Sequence, residues 1–114
     1  MAISKKFSDQ LKALCDQACR LADLHNADAI LFLMEKLTDW RQLRKATKGY
    51  MVLLAGDSEE TLYGSSEADF DTIQLNMSSD APVYERLTQA LVEGVADELL
   101  PAAACVVAVY SGFE

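Results

Sequence analysis

The chain has little of what usually announces a reaction. It holds one histidine, one tryptophan, two prolines and five glycines in 114 residues. A lone His25 leaves no second imidazole for a metal or acid–base set, and beside a helix end it reads as a surface or capping residue. Three cysteines are an odd number in a chain without a secretory leader, which points to reduced thiols rather than a disulfide framework. Cys15 and Cys19 stand four apart on one helical pattern, and with no further His or Cys nearby they read as small buried packing residues. No apolar run approaches the roughly 20 residues needed to cross a bilayer. Met1 to Phe7 is polar and basic with no apolar segment behind it, so a cytoplasmic location and no membrane partner are expected. Ser111-Gly112 lacks the Gly-x-Ser-x-Gly frame of a nucleophile turn, which removes the obvious hydrolase reading.

Cations are also scarce. The formal net charge is -8, from 10 Lys and Arg against 18 Asp and Glu. Such a surface repels phosphate backbones, so no direct nucleic-acid role is expected. With 51% hydrophobic and 25% charged residues the composition is that of one ordinary globular domain.

What is present is an alternation. Short apolar runs at Ala29 to Met34, Tyr50 to Ala55, Thr72 to Leu75 and Cys105 to Tyr110 take turns with amphipathic stretches. Runs this short, bounded by turn residues and separated by helical patterns, predict buried strands of a parallel sheet covered on both faces. The first helix is expected from about Ser4 to Asn26, with Phe7, Leu11, Leu14, Cys15, Ala18, Leu21 and Ala22 on one face. Asp39 with Gln42 forms a capping box that opens a helix over Trp40 to Lys48, ended by Gly49. Asp57 with Glu60 repeats that signature and predicts a third, acidic helix that Gly64 or Ser65 weakens or ends. Asp80 and Pro82 open the last helix, whose apolar face of Val83, Leu87, Ala90, Leu91, Val95 and Leu99 runs through to Pro101.

Right-handed crossovers then predict an α/β, three-layer, doubly wound and mainly parallel sheet of about four strands, in the order 3-2-1-4. Winding reverses between the first and fourth strands. Ligands in such sheets sit beyond the strand carboxyl ends at that reversal, which places Glu35, Lys36, Leu37 and Thr38 opposite Ser111 and Gly112. Arg41, Arg44, Lys45 and Lys48 line the second helix as an anion grip or, more plainly, as a solvated face in which Lys45 and Lys48 complement the helix C-terminus. Trp40 could stack on a base but reads first as a partly buried anchor. Met34, Met51 and Met77 read as core filler, and Ser78, Ser79 and Asp80 as turn and capping residues.

Two resemblances add to this. Asn26 to Leu33, Gly49 to Leu54, Asp57-Ser58-Glu59-Glu60-Thr61 and Val106 to Gly112 resemble, in order and spacing, the C-terminal α/β domain of pyruvate kinase. There the loop after the first strand, similar to Thr-Glu-Ser-Gly, caps a helix that can hold an effector phosphate. In Met34-Glu35-Lys36-Leu37-Thr38-Asp39 only Glu35 matches, the glycine is missing, and Asp39 puts a negative charge where an anion would sit. The strings Leu37 to Arg41, Pro82 to Leu91 and Val109 to Glu114 resemble the leading domain of bacterial proteins that carry, further along, a nucleotide-binding diadenylate cyclase domain of the DNA-integrity-scanning type. That resemblance implies that residues 1–114 are the N-terminal part of a longer protein. The Asp-Gly-Ala and Arg-His-Arg motifs of the cyclase domain are absent here, so the resemblance implies a non-catalytic regulatory or sensing domain with no cofactor or metal of its own. Its implied partner is the C-terminal nucleotide-binding domain, and a small anion or nucleotide would bind at Thr38, Asp39, Arg41, Ser111 and Gly112. The alternative is a protein-interaction or dimerisation module that forms a homo-oligomer through the acidic third helix and the edge of the fourth strand. An independent small enzyme comes third, since no acid, base and nucleophile converge.

Overall fold

A computed structural model describes residues 9–34, 38–47, 49–59, 61–68, 70–78 and 80–110. Helix α1 spans Asp9–His25, strand β1 Ala29–Leu33, helix α2 Trp40–Ala46, strand β2 Val52–Gly56, strand β3 Asp71–Gln74, helix α3 Val83–Ala96 and strand β4 Val106–Tyr110. All four strands are parallel and stand in the order β3-β2-β1-β4, as the alternation predicts.

β1 and β2 lie in the middle and are buried at every position. Their side chains alternate between two cores. Ile30, Phe32, Val52 and Leu54 meet α1 and α2 on one face, while Leu31, Leu33, Leu53 and Ala55 meet α3 on the other. Helices on both faces explain why these strands are apolar throughout. α1 approaches closely because its buried stripe is Cys15, Ala18, Cys19 and Ala22, all small. It stops at Asn26, whose φ of 51° lets Ala27 N–H reach the Ala22 carbonyl at 2.9 Å. Asp28 then ties two strand starts together: its carboxylate accepts from the Cys105 N–H at 2.8 Å, and its own N–H donates to the Cys105 carbonyl at 2.7 Å.

Three expectations are corrected. The described residues of the stretch 57–64 form no α-helix. The Ser58 hydroxyl, rather than Asp57, accepts the Thr61 N–H at 3.2 Å, and Glu60 lies outside the described residues. Gly64 at φ 83° breaks any continuation, and a 3-10 turn at Ser65–Ala68 takes its place, with the Ser65 hydroxyl donating to the Leu62 carbonyl at 2.7 Å. The acidic helix offered as a contact surface therefore does not exist as a helix.

The last helix ends at Ala96, short of Pro101. Glu98 adopts φ 62°, the Leu99 N–H reaches the Gly94 carbonyl at 2.8 Å, and Leu100 folds back beneath the helix. A Cβ at Gly94 would stand 2.9 Å from Leu100 Cδ1, so the glycine makes room for that return. Pro82 is the residue before the helix and gives it no side-chain cap, whereas the Ser78 hydroxyl accepts the Asp80 N–H at 3.0 Å. Finally, α2 is shorter than expected, closing at Thr47 before Gly49 turns with φ 82°. The start of the first helix at Ser4 and the positions of Lys48 and Ser79 lie outside the described residues.

Candidate functional site

The reversal of winding falls between β1 and β4. Leu33 pairs with Tyr110, so the carboxyl ends of the two strands are level. Thr38 follows β1 and is buried, 3% exposed. Asp39 caps α2: its Oδ1 accepts the Gln42 N–H at 3.3 Å and its Oδ2 accepts Gln42 Nε2 at 2.9 Å. The Gln42 side-chain hydrogen bond, then the backbone one, holds the Asp39 carboxyl below its ordinary value of 3.8. Both oxygens therefore serve the helix, and their charge fills the end of α2 where an anion would otherwise be drawn. Arg41, the second residue of α2, is exposed. Glu35, Lys36, Leu37, Ser111 and Gly112 lie outside the described residues, so of the expected site Thr38, Asp39 and Arg41 stand together on one segment.

The rest of α2 faces elsewhere. The Trp40 indole is buried, donates from Nε1 to the Tyr63 carbonyl at 2.7 Å and meets Phe70 edge-on at 6.2 Å between centroids. Trp40 is thus the anchor of the plainer reading. Arg44 lies 4.3 Å above the Phe70 ring and donates to the carbonyls of Ala68 and Tyr50, both at 3.2 Å. This guanidinium clamps the segment before β3 to the start of β2, and it is not an anion grip. Lys45 remains on the exposed side near the helix C-terminus.

Sequence reasoning missed Arg86. It is 6% exposed and donates from Nε to the Ala81 carbonyl at 3.0 Å, bracing the turn that leads into α3. Two signals could have found it. It is the only Lys or Arg after residue 48, and it falls on the stripe of Val83, Leu87 and Ala90. The reading also missed a shallow groove of about 220 Å³ between α1 and β4, lined by Leu14, Gln17, Ala18, Leu21 and the strand itself. Among the described residues no group of three His, Cys, Asp or Glu is placed to hold a metal. Cys15 and Cys19 are buried, and burial pushes the Cys15 thiol up to about 12. No helix among them is long and apolar enough to cross a membrane.

The fold is that of a pyruvate kinase C-terminal-like α/β module. Two solved structures of Cryptosporidium parvum pyruvate kinase match it at TM-scores of 0.73 and 0.74, with 19% and 21% identity, over 96% of this chain. A third, with ADP bound, matches at 0.73 and 19% identity over 95% of the chain. The chain spans only 21–22% of the length of those enzymes, and at such identity the likeness is one of fold. A search of curated proteins finds no match. The family model described as "Probable sensor domain DacZ_P" matches residues 10–114, and the chain belongs to that family.

Proposed function

We propose that this chain is the non-catalytic sensing domain of a diadenylate cyclase-type protein, acting in the cytoplasm on a nucleotide-binding domain of the DNA-integrity-scanning type in the same polypeptide. The observation that carries this reading is the match of residues 10–114 to a probable sensor domain. The fold supports it, because a parallel sheet with a winding reversal offers a crevice without requiring chemistry. In this reading a small anion or nucleotide enters beyond the ends of β1 and β4, where Thr38 and Arg41 would meet Ser111 and Gly112. Asp39, committed to Gln42, would position the start of α2 rather than touch the ligand.

The test has two arms. Isothermal titration of the 114-residue chain with a panel of nucleotides and phosphorylated metabolites should give heat for at least one, and Arg41→Ala should abolish it while the circular dichroism stays native. No heat across the panel sinks the ligand site. The parent protein with and without these residues is then assayed for conversion of ATP to cyclic di-AMP, with its mass measured in each form. Altered turnover at unchanged mass supports sensing, whereas unchanged turnover refutes it.

A further inference from the structure

The sheet divides this molecule by charge. Among the described residues the exposed cations are Lys12, Arg20, Arg41 and Lys45, all on α1 or α2, which share the face of Ile30, Phe32, Val52 and Leu54. The opposite face belongs to α3, which carries no exposed cation. Residues 49–114 hold twelve Asp and Glu against Arg86 alone, and Arg86 is buried. No cation stands in the last turn of α3, where the helix dipole favours one. Asp97 and Glu98 follow that turn instead, both exposed, and Glu85 is exposed in the first turn.

The same helix is apolar where it faces water. Ala90 and Gly94 are buried and mark its inner side. At about 100° per residue, the side opposite them falls on Val92, which is 59% exposed. Beside it runs a seam of Tyr84, Thr88, Leu91 and Val95, in which Tyr84 is 79% exposed and Leu91 and Val95, which sequence reasoning assigned to the core, are 36% and 43% exposed. Their 4-3-4 spacing is that by which a second helix packs alongside. The one hydroxyl of the seam is already satisfied, since Thr88 donates to the Tyr84 carbonyl at 2.8 Å.

We infer that the outer face of α3 is a docking surface for a cationic amphipathic helix in the remainder of the polypeptide, with an apolar stripe for the seam and Lys or Arg on its margins for Glu85, Asp97 and Glu98. This rests on the reading of the chain as the sensing domain of a longer protein, and it names the surface through which that domain reaches the rest. Charge selects the occupant. A second copy on this face would set Glu85, Asp97 and Glu98 near their own likes, in chains of net charge -8. An anionic lipid surface is repelled for the same reason. A helix with cations on its margins instead meets three carboxylates and the negative end of α3. Four turns of one helix make a small surface, so the isolated contact is expected at the weak, micromolar end of the affinity range.

The first probe is a fluorescent Leu/Lys peptide patterned as an amphipathic helix, titrated into the 114-residue chain with anisotropy as readout. It should bind more tightly than a shuffled peptide of the same composition, and raising the salt to ~0.5 M should weaken it several-fold. Val92→Glu separates docking from mere attraction of opposite charges. It adds a negative charge, so attraction alone would strengthen, whereas a carboxylate in the middle of the face should weaken docking by about tenfold or more. Leu24→Glu adds the same charge on α1, where Leu24 is exposed, and should leave docking within about twofold. Both variants should keep native circular dichroism. Equal binding of the two peptides, or tighter binding by Val92→Glu, overturns the inference. Hydroxyl-radical labelling of Tyr84 then compares the parent protein with the 114-residue chain. Tyr84 should be several-fold less reactive in the parent and recover in Val92→Glu. Equal reactivity overturns the inference, as does protection that Val92→Glu leaves intact, which would mean an occupant of other chemistry. A concentration-dependent doubling of mass that Val92→Glu abolishes would assign the face to a second copy and equally overturn it. The sensing reading fails separately, on unchanged turnover when residues 1–114 are removed.

Discussion

Replacing Trp40 tests how the region beyond the strand ends is held. The indole is 4% exposed, fills the α1–α2 core, meets Phe70 edge-on and ties α2 to the turn at Tyr63. Truncating such a side chain to alanine costs about 3–5 kcal/mol, from lost burial and the cavity left behind. At roughly 0.05–0.15 kcal/mol per residue, the whole domain is stable by about 6–17 kcal/mol. Trp40→Ala should therefore remove roughly a fifth of the total or more. With a urea slope of about 1–3 kcal/mol per molar, the unfolding midpoint should fall by more than ~1 M. Trp40→Phe separates the ring from the donor. It keeps an aromatic face for Phe70 but leaves the Tyr63 carbonyl without its 2.7 Å partner, a loss of about 1–2 kcal/mol. Far-ultraviolet circular dichroism follows both variants, since each lacks the only tryptophan. An alanine variant with an unchanged midpoint would refute the anchor, and a phenylalanine variant as weak as alanine would show that the hydrogen bond outweighs the packing.

Two further predictions concern titration. Cys105 is exposed, whereas Cys15 and Cys19 are buried and the Cys15 thiol is pushed up to about 12, so a thiol reagent at pH 8 should modify one cysteine quickly and the other two only on unfolding. Two fast thiols would refute the packing of α1. Asp39 has a folded-state value below its unfolded 3.8, so the stability it contributes is complete above that pH and is lost as the pH falls through the folded value. A carbon-detected titration should place its inflection below 3.8, and Gln42→Ala should move it upward. An inflection that Gln42→Ala leaves in place would show that the capping hydrogen bond is not the cause.

Local chemistry determined much of this protein from its sequence. Asn26 and Gly49 mark turns because they accept a left-handed backbone, Asp39 with Gln42 opens α2, and short unalternating apolar runs specify a parallel sheet covered on both faces. Crossover handedness then gives the strand order, and with it the reversal where a site is expected. Tertiary structure alone decided the rest, because those outcomes depend on partners far away in the chain. Nothing near Trp40 in sequence names Tyr63, and nothing near Arg44 names Phe70. The last helix stops early because Leu100 finds space beneath Gly94, which a periodic apolar face does not reveal. At the candidate site the position of Thr38 was legible, but the commitment of both Asp39 oxygens to the helix and the diversion of Arg44 to carbonyls were not. Leu91 and Val95 follow the same periodicity as Leu87 and Ala90. Only the seating of α3 on the face of Leu31, Leu53 and Ile73 separates those that are covered from those that are exposed.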